Sequence, residues 1–308
     1  MVNDQKKAGY FFLTPYETPQ RIPFDRLFSM CRFFDRLRSR QDLLRTSPGI
    51  GQSGSRMSRG EKDKNDSRAS REIEHGLKLA KNDTEFVWGW GSPAGKLRAA
   101  RRAGLIVECA GLNSRSHVLE IGCGTGLFTA MFAKTGARLV AVDISGELLQ
   151  KAQQRDLPPL QVRFIEKRFE DCALEGPFDA VIGSSVLHHL DLFPSCLKIF
   201  SLLKPGGIMA FAEPNLLNPQ VFLERKCRKW FPYISSDETA FLRWRLKRIL
   251  LGTGFENVKI IPFDWLHPAT PEKLVPLIQK FGRSIEKIPV FREFAGSLLI
   301  GALRPPHG

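Results

Sequence analysis

One stretch, VLEIGCGTGLF at 118–128, limits what this 308-residue chain can fold into more than any other. An apolar run enters Gly122, Gly124 and Gly126, spaced so that the backbone can turn tightly and approach a ligand with no Cβ in the way. That arrangement suits the carboxyl edge of a parallel sheet, where a strand gives way to a helix. Its surroundings agree. From His117 onward, strand signals at 117–121, 137–143, 161–165, 178–183 and 208–213 alternate with helix signals at 127–134, 146–155 and 192–203. Alternation of this kind builds an α/β fold, a mostly parallel sheet with helices on both faces. Two later strands, 255–261 and 295–303, lack a connection of crossover length, so the last strand is expected to run antiparallel.

Two residues beside the glycines specify the ligand further. Asp143, just past the second strand, is placed to accept hydrogen bonds from a ribose diol. Glu120 precedes the turn, and an acid there disfavours a pyrophosphate and favours a cationic or zwitterionic ligand. A nicotinamide dinucleotide loop would read GxGxxG, whereas this one reads GxGxG.

With FDAVIGSSVLHHL at 178–190 and LKPGGIMAFAEPN at 203–215 in the same order, the chain resembles the class I S-adenosylmethionine-dependent methyltransferases over residues 86–303. The similarity is to the small-molecule type that includes ubiquinone-biosynthesis O-methyltransferases. It implies a Rossmann-like sheet and S-adenosyl-L-methionine as cofactor. By that resemblance Glu120, Gly122, Cys123, Gly124 and Gly126 form the turn, with Gly122 to Gly124 against the methionine portion. Asp143 holds the ribose, Ile144 and Phe169 flank the adenine, and Ser184 stands near the methionine end. Arg168 occupies the place where the family often has an acid for the adenine amino group, so adenine recognition falls to backbone groups and to Phe169 packing, with Glu170 or Asp171 as the secondary alternative. No metal is implied.

Methyl transfer to oxygen needs a positioned nucleophile more than a strong base, although a neutral histidine near the methyl group can take the proton. His188 and His189 follow the fourth strand at the correct edge. One of them is expected to face the pocket, and His189 is the candidate base, against the alternative that LHHL only packs its loop. His267, in FDWLHPATP, is a second acceptor-side candidate or a turn-stabilising residue. The aromatic stretch FVWGWGSPAG at 86–95 reads as a lid or as a docking segment. Arg98, Arg101 and Arg102 on the following helix read chiefly as a solvated face, the alternative being that one of them reaches a carboxylate or phosphate.

Domain organisation follows composition. Residues 1–70 read as a disordered extension, or as sequence ahead of a start at Met57. Residues 71–110 read as a helical lid, and 111–308 as the methyltransferase domain with acceptor-side insertions at about 214–236 and 262–290. The net charge of +14 is uneven: residues 100–213 carry 12 basic and 12 acidic side chains, and 214–250 carry 8 and 3. The excess therefore avoids the expected cofactor site. The basic aromatic segment 222–248 instead fits an anionic small-molecule or lipid acceptor and peripheral membrane contact. Nucleic acid is disfavoured by the neutral centre and the lack of a binding module. Six cysteines without a CxxC pair argue against a zinc site or a disulfide framework and for a reducing, cytoplasmic setting. No apolar run approaches the ~18 residues that span a bilayer. RNA or protein methylation, an NAD-dependent oxidoreductase and a silent cofactor-binding protein remain the alternatives.

Overall fold

The computed structural model describes residues 83–227 and 239–306, with Ser70, Arg71, Ile73, Glu74, Gly76 and Leu77 ahead of them. The expected 1–70 extension, Ser70 excepted, lies outside those residues. So do Trp230 and Phe231 of the basic aromatic segment and SSDE at 235–238, which reads as an N-cap opening a helix through Leu251.

A helical turn at Thr84–Val87 leads to α1 (Pro93–Ala110). The ends of α1 follow from its sequence: the Ser92 side chain accepts from Gly95 N, Pro93 opens the first turn, and Gly111 closes it at φ 63°. Then come β1 (His117–Ile121), α2 (Leu127–Ala133), β2 (Arg138–Asp143), α3 (Gly146–Gln153), β3 (Val162–Glu166), β4 (Phe178–Ser184), α4 (Leu192–Leu202) and β5 (Leu203–Pro214). The chain finishes with α5 (Pro219–Lys226), α6 (Arg243–Gly252), β6 (Glu256–Phe263), α7 (Val275–Ile285) and β7 (Ser297–Leu303).

The strands form one seven-stranded sheet in the order β3-β2-β1-β4-β5-β7-β6. Strands β1 to β5 pair in parallel, and β7 enters between β5 and β6 antiparallel to both. The expected antiparallel last strand is therefore present. Side chains alternate between two apolar layers. Leu119, Ile121 and Val181 join Phe211, Leu246 and Leu250 on one face, while Val118, Ala180 and Ile182 join Ile106 and Phe132 beneath α1 and α2 on the other. The order reverses between β1 and β4, and this opens the crevice in which such sheets bind ligands.

Two local expectations are corrected. LKPGG reads as a turn, yet it begins β5, because Gly206 at φ 79° lets the strand continue and Gly206 N donates to Arg304 O. The helix expected from the SSDE cap starts at Arg243, after Phe241 has bridged to Asn215.

Candidate active site

The carboxyl ends of the parallel strands border a cavity of about 660 Å³, a size usual for small-molecule and cofactor sites. Gly122, Cys123 and Gly124 line it from β1, Asp143 and Ile144 from β2, Phe169 from the turn after β3, and Ser184 and both histidines from β4 and its loop. The glycines are required by geometry. Gly122 has φ 68°, and a Cβ there would meet Val186 Cγ2 at 2.4 Å; Gly124 has φ 51°, and its Cβ would sit 3.1 Å from the Trp88 ring. Gly126, at φ 73°, borders Ala152 of α3 instead, so it serves helix packing and does not line the cavity.

Asp143 ties the turn together. Its Oδ2 accepts from Gly124 N at 2.7 Å and its Oδ1 from Ser145 N at 2.9 Å. Burial pushes its carboxyl above the ordinary value, although these backbone donors and His189 oppose the rise. Phe169 is held from below, for Lys198 Nζ donates to Phe169 O, Glu170 O and Cys172 O at 2.6–3.0 Å. Arg168 and Glu170 both line the cavity and pair with each other at 3.4 Å.

Glu120 lies elsewhere. It shares the Val118 face of β1, is 1% exposed beside Thr129 of α2, and does not line the cavity. Burial raises its carboxyl to about 8, with the nearby Asp143 charge adding to the rise, so near neutral pH it is largely uncharged. The expectation that an acid beside the turn selects a cationic ligand therefore has no basis in this residue.

Both histidines line the cavity, where one was expected, and their rings lie 4.2 Å apart. His188 is buried with Nδ1 2.6 Å from Glu213 Oε2, while Glu213 Oε1 accepts from Val186 N and Leu187 N, each at 2.9 Å. Burial pushes the Glu213 carboxyl up, but His188 and the two backbone donors together bring it below its ordinary value. A carboxylate on Nδ1 favours the tautomer with its proton there and leaves Nε2 as the basic atom.

His267, Gln220 and Trp265 line the far side, with His267 Nε2 2.5 Å from Gln220 Nε2. The reading of Arg98, Arg101 and Arg102 as a solvated face is overturned. Arg98 pairs with Asp264 at 2.7 Å, Arg101 pairs with Glu286 through both oxygens, and Arg102 is 3% exposed. Their partners come from more than 80 residues away, so nothing local in the sequence signals them. The FVWGWG stretch lies against the cavity. Trp88 touches Gly124, Trp90 meets Phe128 edge-on at 5.5 Å, and Glu85 pairs with Arg155 and accepts from Thr125.

A methyltransferase-domain family model matches residues 118–207, which hold the glycine turn, Asp143, Ser184 and the two histidines. This chain carries a class I S-adenosylmethionine-dependent methyltransferase domain. Over 106 residues the chain is 39% identical to malonyl-[acyl-carrier protein] O-methyltransferase of Magnetococcus marinus, covering 33% of this chain and 39% of that protein. It is 37% identical over 107 residues to ubiquinone biosynthesis O-methyltransferase of Xanthomonas campestris pv. campestris, covering 32% and 44%. The chain thus spans about two-fifths of the length of these curated relatives. Among solved structures, N-methyltransferase NodS of Bradyrhizobium japonicum, in complex with S-adenosyl-L-homocysteine, shares the fold at TM-score 0.53. That match has 18% identity and covers 76% of this chain and 98% of NodS. Phosphoethanolamine N-methyltransferase 2 of Haemonchus contortus, with S-adenosyl-L-methionine, shares the fold at TM-score 0.51 and 16% identity over 72% and 57%.

Within the methyltransferase domain, Glu213 and Lys198 were missed in sequence reading. Glu213 stands inside the AFAEPN motif, but its partner lies 25 residues back across the sheet. Lys198 sits on an otherwise apolar helix, where a lone lysine is a weak hint. Among the described residues, no helix is long and apolar enough to cross a membrane, and no cluster of His, Cys, Asp and Glu could hold a metal ion.

Proposed function

We propose that the protein transfers a methyl group from S-adenosyl-L-methionine to an oxygen of a small-molecule or lipid-type acceptor. One observation carries this reading: the Gly122–Gly124 cradle, Asp143 and His188, which is backed by the buried Glu213, border a single cavity. The cradle fits the cofactor, because its backbone can be approached where side chains would intrude. Bound there, the cofactor supplies a sulfonium methyl group that is already a strong electrophile. The protein's own work is then to orient the acceptor and exclude water.

In this assignment Asp143 takes the ribose hydroxyls, Ile144 and Phe169 border the adenine, Glu170 accepts from the adenine amino group, and Ser184 stands at the methionine end. Gly126 sets the pitch of α2 on α3, and Glu120 supports the turn from beneath. The acceptor hydroxyl gives its proton to His188 Nε2, with Glu213 stabilising the imidazolium that results. His189, the histidine favoured in sequence reading, lies where Asp143 feels its charge and belongs with the cofactor side. The 84–92 segment acts as the lid, with Trp88 over the turn.

The names of the curated relatives favour oxygen as the acceptor atom. A lipid-type acceptor and membrane contact draw support from the exposed Phe222, Leu223 and Trp244 within the basic segment 222–248, and from the exposed Leu277 and Phe281 on α7. Incubation with labelled S-adenosyl-L-methionine and a cell extract tests the reading. Label is expected in the lipid or small-molecule fraction; label in RNA or protein transfers the assignment to those acceptors. Calorimetric binding of NAD, with none of S-adenosyl-L-methionine, would refute methyl transfer.

A further inference from the structure

Arg102 is a buried cation whose surroundings contain hydroxyls in place of a counter-ion. Its Nη1 donates to Ser185 Oγ at 2.8 Å, Ala212 O at 3.1 Å and Ser184 Oγ at 3.3 Å, and its Nη2 donates to Ser297 Oγ at 2.6 Å. Among the described residues no carboxylate reaches it at ion-pair distance, and its buried Nε has no hydrogen-bond partner. Arg98, one turn earlier, is already neutralised by Asp264. Burial, and after it the Arg98 charge, pulls the guanidinium down to about 10, while Asp264 and Glu213 oppose the fall from beyond ion-pair distance. A buried charge with no carboxylate in direct contact is costly, and is tolerated where an anion is due to arrive.

The serines supply the rest of a receptor. A hydroxyl that accepts from a guanidinium still has its own hydrogen to give. Ser184, Ser185 and Ser297 all line the cavity, and none donates to a protein acceptor among the described residues. Ser185 is held at φ 57°, a conformation that non-glycine residues seldom adopt and that often marks functional sites.

Position decides which anion is meant. In the sheet, β2, which presents Asp143, and β7, which presents Ser297, are four strand spacings apart, roughly 19 Å. A cofactor anchored by its ribose at Asp143 extends toward β4, whereas Ser297 stands beyond it on the side of Asp264 and His267. We propose that Arg102, with the Ser185 and Ser297 hydroxyls, forms a subsite for one anionic group, a carboxylate or phosphate, of the methyl acceptor. This rests on the methyl-transfer reading above.

Calorimetry on the full chain tests it, with inorganic phosphate titrated into protein saturated with S-adenosyl-L-homocysteine. Saturable phosphate binding is expected, weakened about tenfold in Ser297→Ala and in Ser185→Gly, with S-adenosyl-L-homocysteine affinity within about twofold of the parent. Two variants guard against a folding failure in either, which thermal melting would reveal. Absence of phosphate binding to the parent overturns the subsite. So does a tenfold loss of S-adenosyl-L-homocysteine affinity in Ser297→Ala with 5′-methylthioadenosine binding unchanged, since that assigns the subsite to the cofactor's own carboxylate. If the parent binds no S-adenosyl-L-homocysteine, the methyl-transfer reading fails, and phosphate titrated into the bare protein decides the subsite separately.

Discussion

His188 Nδ1 and Glu213 Oε2 lie 2.6 Å apart, with both side chains buried and the histidine ring bordering the cavity. The carboxylate has two tasks, because its other oxygen accepts from Val186 N and Leu187 N and so fixes the loop that carries the ring. If the pair takes the acceptor's proton, His188→Gln should lower kcat by about 10²- to 10⁴-fold with little change in cofactor affinity. Steady-state kinetics paired with S-adenosyl-L-homocysteine titration checks this, and near-parental turnover would reduce the pair to a structural role. Glu213→Gln keeps the shape and removes the charge. It should lower kcat, since the imidazolium loses its stabilising partner.

The same carboxylate links stability to acid. Because Glu213 is held below its ordinary value in the folded state, its contribution is fully present above the unfolded carboxylate range and is lost as pH falls through the folded value. Glu120 has the opposite sign. Its carboxyl stays protonated up to about 8 when folded but ionises near 4.5 when unfolded, so it withdraws stability as pH rises between those values. By pH 8 that loss amounts to several kcal/mol at most, on the order of 1.4 kcal/mol for each pH unit crossed. Denaturant midpoints at pH 5 and pH 8 should converge in Glu120→Gln relative to the parent. An unchanged gap would mean that Glu120 is not protonated in the fold.

These two acids also mark where sequence reading succeeds and where it stops. The turn, Asp143 and the βα alternation are local patterns, and each is found where its own residues put it. Glu120 was misjudged although the information was present. Strand parity places it with Val118, on the face that Phe128 and Phe132 cover, and not with the turn that follows. Other features are not local. Arg102 reads as one more basic residue on an exposed helix until β5 and β7 close over it, and Glu213 acquires its meaning only from a loop on the neighbouring strand. LKPGG carries every mark of a turn, and becomes a strand because Arg304, a hundred residues on, pairs with it.

Asp143 provides a test of the cofactor side. It already accepts from Gly124 N and Ser145 N, so its removal costs both the ligand bond and the shape of the turn. A hydrogen bond to a charged group contributes roughly 1.5–3 kcal/mol. Asp143→Ala should accordingly weaken S-adenosyl-L-methionine binding by about 10- to 150-fold, read by calorimetry. Unchanged affinity would exclude the residue from the site.

The glycine turn makes a graded prediction. At Gly122 an added Cβ meets Val186 at 2.4 Å while the backbone stands at φ 68°, so neither a side-chain shift nor a backbone shift is available cheaply. Overpacking of about 1–3 kcal/mol adds to a left-handed penalty of about 1–2 kcal/mol. Gly124, at φ 51°, bears the same left-handed penalty, but its neighbour is the Trp88 ring at 3.1 Å, which has to give by only a few tenths of an ångström. Gly122→Ala should therefore lose several kcal/mol of stability together with cofactor binding. Gly124→Ala should remain folded and lose affinity mainly through displacement of Trp88, which makes tryptophan fluorescence the natural readout. Equal destabilisation of the two variants in urea would show that the turn, and not its neighbours, sets the cost.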